Sequence, residues 1–156
     1  MLISEQTLKW AMRLYPPLLF QRIWIVKFEK GFTGAKVKIF KSFLNTNYNK
    51  TIFGGTIFSA ADPFYSILLH QILKRKGFDV KLWLKHSKID YLKPGTDNLY
   101  YSINLSDDEI NEAIENLKAS GKFCKTFSVQ ITNKDGDVRA IVNNEIYIIL
   151  NSTNKK

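Results

Sequence analysis

The sequence predicts an α+β fold: an antiparallel sheet of about five or six strands around one central helix, residues about 55–76, with an extra helix at the N-terminus. Three observations carry this. Residues 56–76 are apolar on nearly every face, the mark of a helix buried inside a core rather than lying on a surface. The segments on either side alternate apolar and polar residues with period two, the pattern of half-buried strands. The order is helix, two strands, buried helix, two strands, polar helix, two strands, which suits a layered helix-on-sheet domain. A chain of 156 residues fits one domain, 1–156, with its core at about 23–150. No repeat or Pro/Gly/Ser-rich linker divides it.

Each element has local reasons. Over residues 4–15, Leu8, Ala11, Met12 and Tyr15 fall at helical spacing, with Ser4 as N-cap. Pro16 and Pro17 end that helix. Residues 18–24 read as a short second helix or an irregular entry. Residues 25–29 and 35–40 alternate, with Gly31 to Gly34 as the turn between them. A polar loop at 45–50 precedes the central helix. Within that helix Pro63 lacks an N–H and frees the carbonyl of Ser59, so a kink or opening is expected there. Lys74, Arg75 and Lys76 complement the negative helix end, and Gly77 terminates it. Residues 78–91 form a long strand, bulged along its length, and 99–105 another. Ser106 and Glu109 make a capping box for a polar helix running to Ser120. Residues 122–132 and 138–150 pair about the Asp135-Gly136 turn. The tail 151–156 is expected to fray.

Composition excludes several classes. One cysteine, Cys124, allows no intrachain disulfide and no thiolate metal cluster. It sits in an alternating strand and reads as a buried small apolar residue. Two histidines, His70 and His86, leave little for a metal site or a His-based triad, so no metal is expected. His70 reads as a helix-end or core residue and His86 as a surface one. Residues 1–30 carry Glu5, Lys9, Arg13 and Arg22 among the apolar positions, unlike a secretory signal. The most apolar window contains Asp62, Pro63 and His70, so no membrane span is expected. The expected location is the cytoplasm. Lys plus Arg number 23 against 14 Asp plus Glu, a net charge of +9, which suits an anionic partner. No helix-turn-helix, zinc-finger or RNP-like pattern is present, so nucleic acid is not the expected partner.

The run Asn47-Tyr48-Asn49-Lys50-Thr51-Ile52-Phe53-Gly54-Gly55, with Asp62 nine residues past Phe53, resembles the signature of hotdog-fold thioesterases of the phenylacetate-pathway type. In that signature an Asn, a Gly-Thr pair and His-Gly-Gly precede a helical carboxylate. Asn47, Thr51, Gly54, Gly55 and Asp62 stand at matching positions. Phe53 replaces the usual His and Lys50 the usual Gly. The Phe-Gly-Gly form followed by Asp62-Pro63-Phe64-Tyr65, and the later run at 82–94, resemble a subgroup of unassigned function. The resemblance implies a hotdog fold and a homodimer, possibly paired into a tetramer. It implies a site between subunits, with Asn47 and the glycines from one chain and the acid from the other.

The chemistry implied is hydrolysis of an acyl thioester, carried by coenzyme A or acyl carrier protein. No cofactor is implied beyond the coenzyme A of the substrate. Thioester hydrolysis needs an activated water or a carboxylate nucleophile, and a donor for the developing oxyanion. Asp62 fits the first role, and the Gly55 N–H, or that of Thr56, fits the second because a helix N-terminus offers free amides. Asn47 would orient water or the acyl carbonyl. Phe53, Gly54, Thr56 and Ser87 would line the substrate. Each has a structural alternative: close packing for the glycine pair, helix capping for Asp62 and turn formation for Asn47. A phenyl ring at position 53 cannot hydrogen-bond a carbonyl. That substitution keeps a second reading open, an acyl- or fatty-acid-binding protein without turnover.

Overall fold

The computed structural model describes residues 3–151, so of the expected tail only Asn151 falls among the described residues. Its N–H donates to the Asp79 carbonyl at 3.0 Å. The chain runs α1 (Glu5–Leu14), α2 (Pro16–Phe20), β1 (Ile23–Phe28), a 3-10 turn (Lys30–Phe32), β2 (Gly34–Ile39), α3 (Gly54–Ala61), α4 (Pro63–Arg75), β3 (Val80–Tyr91), β4 (Leu99–Asn104), α5 (Asp107–Ser120), β5 (Lys122–Thr132) and β6 (Val138–Leu150). Six strands form one sheet in the order β1-β2-β4-β5-β6-β3, every pair antiparallel.

Alternation places the inward row of each strand. Val37 and Ile39, Tyr101 and Ile103, Val129 and Ile131, and Val142, Ile146 and Ile148 are all buried. They meet Phe64, Leu68, Leu69 and Leu73 of α4, which are fully buried too. Burying each such side chain is worth about 1.5–3 kcal/mol, so this layer is a large stabilising part of the core. The β4–β5 junction has a single registered pair, Tyr100 with Thr132, whereas β5–β6 and β6–β3 are long ladders, each with one register shift. The expected bulge in the long strand lies between Leu84 and His86.

The two sheet edges differ. At the β1 edge the register shifts between Ile25 and Lys27. Buried Arg13 of α1 reaches across, its Nε donating to the Ile25 carbonyl at 2.8 Å and Nη2 to Val26 at 3.4 Å. Its guanidinium lies over Trp10 and Trp24 at 4.6 and 4.2 Å from the ring centroids. The N-terminal helix therefore closes one edge with hydrogen bonds and aromatic contact. The outer edge of β3, twelve residues long, pairs with no strand among the described residues.

Two details differ from the sequence expectation, the start of the first strand and the exposure of Cys124, and a third follows it. The first strand begins at Ile23, because Arg22 takes a left-handed φ of 60° and turns the chain sharply out of α2. The central helix is two helices meeting at Asp62, the break expected at Pro63. Cys124 is exposed rather than buried. Phe123, Phe127, Val129 and Ile131 take the inward parity of β5, which turns Cys124 outward, where its Sγ donates to Glu145 Oε1 at 3.0 Å.

Candidate active site

The loop before α3 is built from asparagines. Asn45 Nδ2 donates to the carbonyls of Gln21 and Phe40, both at 2.8 Å, and its own carbonyl accepts from Phe53 N–H at 2.8 Å. Asn47 Oδ1 accepts from Asn49 N–H at 3.0 Å and from both Thr51 N–H and Thr51 Oγ1 at 3.2 Å. This is the turn-forming role of a short amide side chain. Lys50, standing where the resembling proteins carry glycine, keeps a left-handed φ of 60°. The backbone shape of the loop is thus retained at some steric cost.

At the start of α3, Thr56 N–H and Ile57 N–H both donate to the Phe53 carbonyl, at 2.9 and 3.3 Å. Of the two candidate oxyanion donors, Thr56 is therefore engaged. The Gly55 N–H makes no hydrogen bond within the described residues. Both glycines lie under aromatic rings. A Cβ on Gly54 would stand 3.1–3.3 Å from the end of Tyr91, whose hydroxyl donates to the Gly54 carbonyl at 2.8 Å. A Cβ on Gly55 would collide with the ring of Phe53, itself 57% exposed. Close packing thus accounts for the absence of side chains at 54 and 55, and the amide of Gly55 stays free.

Asp62 lies at the break between α3 and α4 in right-handed backbone (φ −59°, ψ −57°), and its side chain makes no capping bond. The capping role considered for it is absent. The Asp62 side chain is exposed. Partial desolvation by its neighbours still pushes its pKa above the ordinary 3.8. The break itself is held from the sheet. The buried hydroxyl of Tyr101 donates to the Ala60 carbonyl. Asn144 Nδ2 donates to the Ala61 carbonyl at 2.9 Å, and Ser87 Oγ donates to Asn144 Oδ1 at 2.6 Å. Ser87, expected to line the substrate, thus bonds the residue that holds the helix break.

Asn47, Phe53, Gly55 and Thr56 line one pocket of about 420 Å³, together with Gln21 and Ser59. Gly54 lies on its other side, in a pocket of about 260 Å³ shared with Asn47, Tyr91 and Lys93. Asp62 lines a third, about 300 Å³, again with Gln21 and Ser59. One chain therefore gathers Asn47 with the glycines and holds the acid about two helical turns away, on the order of 10 Å at 1.5 Å per residue. Sequence reasoning passed over Ser59, Gln21, Tyr91 and Asn144. Asn144 alone carried a clear signal: it interrupts the inward row Val142, Ile146, Ile148 with a polar side chain.

The surrounding cations are only partly free. Lys85 pairs with Glu145 at 3.0 Å and Lys88 with Asp90 at 3.1 Å. Arg75 donates to the Ile3 carbonyl at 2.6 Å and to Gln71 Oε1 at 3.0 Å. His86 is exposed and His70 half-buried, its pKa lowered by desolvation and by Lys74. Among the described residues, no helix is long and apolar enough to cross a membrane.

Residues 4–148 match the family described as domain of unknown function DUF4442. The chain belongs to the DUF4442 family. A comparison with curated proteins finds no match. Solved structures share its architecture over nearly the whole length. A Chlorobaculum tepidum protein of unknown function is 13% identical, with a TM-score of 0.79 over 96% of this chain and 99% of its own. A Haemophilus influenzae thioesterase is 11% identical, with a TM-score of 0.70 over 100% of both chains. The Escherichia coli PaaI protein, from the phenylacetic acid degradation operon, is 16% identical, with a TM-score of 0.65 over 92% and 91%. The fold of this DUF4442 chain is the hotdog fold expected from the residues at 47–62.

Proposed function

We propose that the protein hydrolyses acyl thioesters carried by coenzyme A or acyl carrier protein, acting as a homodimer. The observation that carries this reading is the free Gly55 amide at the N-terminus of α3, opening on a pocket lined by Asn47. Such an amide, backed by the helix dipole, suits an oxyanion formed from a thioester carbonyl. The exposed but partly desolvated carboxylate of Asp62 supplies the second group. The thioesterase label of the Haemophilus influenzae protein, on the same fold, supports the reading.

In this scheme Asp62 of one subunit faces Asn47 and Gly55 of the other. As a base it takes a proton from water, whose oxygen bonds to the thioester carbonyl carbon. The oxyanion accepts from Gly55 N–H. Its collapse breaks the C–S bond, and the departing thiolate takes the proton, leaving a carboxylic acid. As a nucleophile the same carboxylate would form an anhydride that water then opens. Asn47 orients the water or the carbonyl. Phe53 and Thr56 wall the pocket, and the cation of Lys93, beside Gly54, is placed to meet a carrier phosphate. Ser87 acts from beneath, through Asn144.

The test is thiol release from a panel of short, medium, long and aromatic acyl-CoA esters, with Asp62→Asn alongside. The variant is expected to lose at least about 100-fold in kcat, the usual contribution of a positioned acid–base group. Equal turnover by both proteins would remove Asp62 from the mechanism. Phe53, which can neither donate nor accept a proton, favours a second reading: acyl binding without turnover. Tight acyl-CoA binding with no thiol release from any ester would select it.

A further inference from the structure

The pocket around Asp62 does not end at the carboxylate. Met12 of α1, its C-cap Tyr15 and Leu18 of α2 line it together with Pro63 and Ile67 of α4. A second pocket of about 390 Å³ continues along the same two helices, between Leu8 of α1, His70 and Gln71 of α4, and Val80 and Leu82 of β3. One residue, Ile67, lines both. The arrangement follows from helical spacing. Leu8, Met12 and Tyr15 fall on one face of α1, and Pro63, Ile67 and His70 on one face of α4. The near pocket has one carboxylate, Asp62; Gln21, Ser59 and the Tyr15 ring share its lining with apolar Met12, Leu18 and Ile67. The far pocket is of similar polarity, with Ser66, His70, Gln71 and Lys81 in its lining.

We infer that the acyl chain of the substrate lies in the trough between α1 and α4, and that Ile67 is the wall that sets its length. The inference rests on the thioester reading above, which puts the reacting carbonyl beside Asp62, and it adds where the chain goes and where it stops. From Asp62 to Ile67 is five residues, about 7.5 Å along the helix at 1.5 Å per residue, the span of an extended chain of about six carbons. The substrate class is therefore short to medium acyl groups. Ile67 is half-buried, so trimming it opens the near pocket to the far one without emptying the main core.

The experiment compares wild type, Ile67→Ala, Ile67→Phe and the double variant Leu8→Phe/Ile67→Ala. Two readouts are taken: kcat/KM for butyryl-, hexanoyl-, octanoyl- and decanoyl-CoA, and calorimetric binding of the uncleavable thioethers S-hexyl-CoA and S-decyl-CoA. Ile67→Ala should raise the decanoyl-to-hexanoyl ratio by at least about tenfold, the scale on which an apolar pocket discriminates chain length. Ile67→Phe should shift the optimum to butyryl-CoA. Leu8→Phe should reverse the gain by refilling the far pocket. Hydrolysis with one unchanged length profile in all four proteins would overturn the trough while leaving thioester hydrolysis intact. No hydrolysis, but thioether binding whose length preference moves with residue 67, would overturn the activity and support the trough. Neither hydrolysis nor thioether binding would overturn both.

Discussion

Asp62 meets two opposed demands. Though exposed, it is desolvated enough to raise its carboxyl pKa, so ionisation costs the folded protein more than the unfolded chain. The folded state then binds more protons between the ordinary pKa of 3.8 and the raised one, and stability falls as pH rises through that window. Above it the deficit is constant. Asp62→Asn, which cannot ionise, is therefore expected to melt at a higher temperature than wild type at pH 7 while losing activity. A lower Tm would mean that the carboxylate has a stabilising partner. The same shift sets the acid limb of kcat/KM, which should fall as pH drops through a midpoint above 3.8, the point where Asp62 takes up its proton. At this scale the sequence was readable wherever a residue broke a pattern. Asp62 stood out as a charge in an apolar run, and Phe53 as a phenyl where imidazole is usual. Ser59 and Gln21 break no pattern, and only the folded chain brings them to the pocket walls. Cys124 was misread although its parity was present in the sequence, since Phe123 and Phe127 already claimed the inward face.

Between α3 and α4 the missing N–H of Pro63 opens the helix, and the sheet fills the gap. Tyr101 of β4 and Asn144 of β6 take the carbonyls of Ala60 and Ala61, and Ser87 of β3 fixes the Asn144 amide. The position of Asp62 is thus set by side chains from three strands. Asn144 is fully buried, so Asn144→Ala leaves both the Ala61 carbonyl and the Ser87 hydroxyl without their partner. A loss of about 2 kcal/mol in denaturant unfolding is expected, in the range for stranded buried polar groups. Ser87→Ala should cost less, about 1 kcal/mol, and the double variant less than the sum, because both act on one chain of bonds. Strict additivity would show that the two bonds are independent. The elements were legible because each carried its period and its stops: the capping box of α5, the Asp135-Gly136 turn, the glycine after α4. The start of β1 was not legible. Residues 22–24 show no alternation, and the left-handed turn at Arg22 that begins the strand has no sequence mark, since arginine is not a residue that favours it.

For the molecule as a whole, the two edges of the sheet decide how a site can be completed. Arg13 and the indoles of Trp10 and Trp24 close the β1 edge, whereas no strand among the described residues pairs with the outer edge of the twelve-residue β3. An open edge of that length invites another strand, and a second copy of the chain is the partner always at hand. Exposed aromatic side chains stand in the loop beside the Asn47 pocket, Tyr48 at 93% and Phe43 at 89%, ready to be covered by that copy. In the dimer proposed here, Asn47 and Gly55 of one subunit work with Asp62 of the other, since a single chain holds the acid about two helical turns from the glycine. Mixing two dead proteins tests the arrangement. Asp62→Asn lacks the acid and Gly55→Val blocks the amide, so each homodimer should be inactive. After unfolding and refolding together at equal amounts, half the dimers are mixed, and each mixed dimer holds one site with both natural groups. Activity should recover to about a quarter of wild type. If each chain instead formed its site alone, every site in the mixture would carry one lesion and the refolded protein would stay inactive.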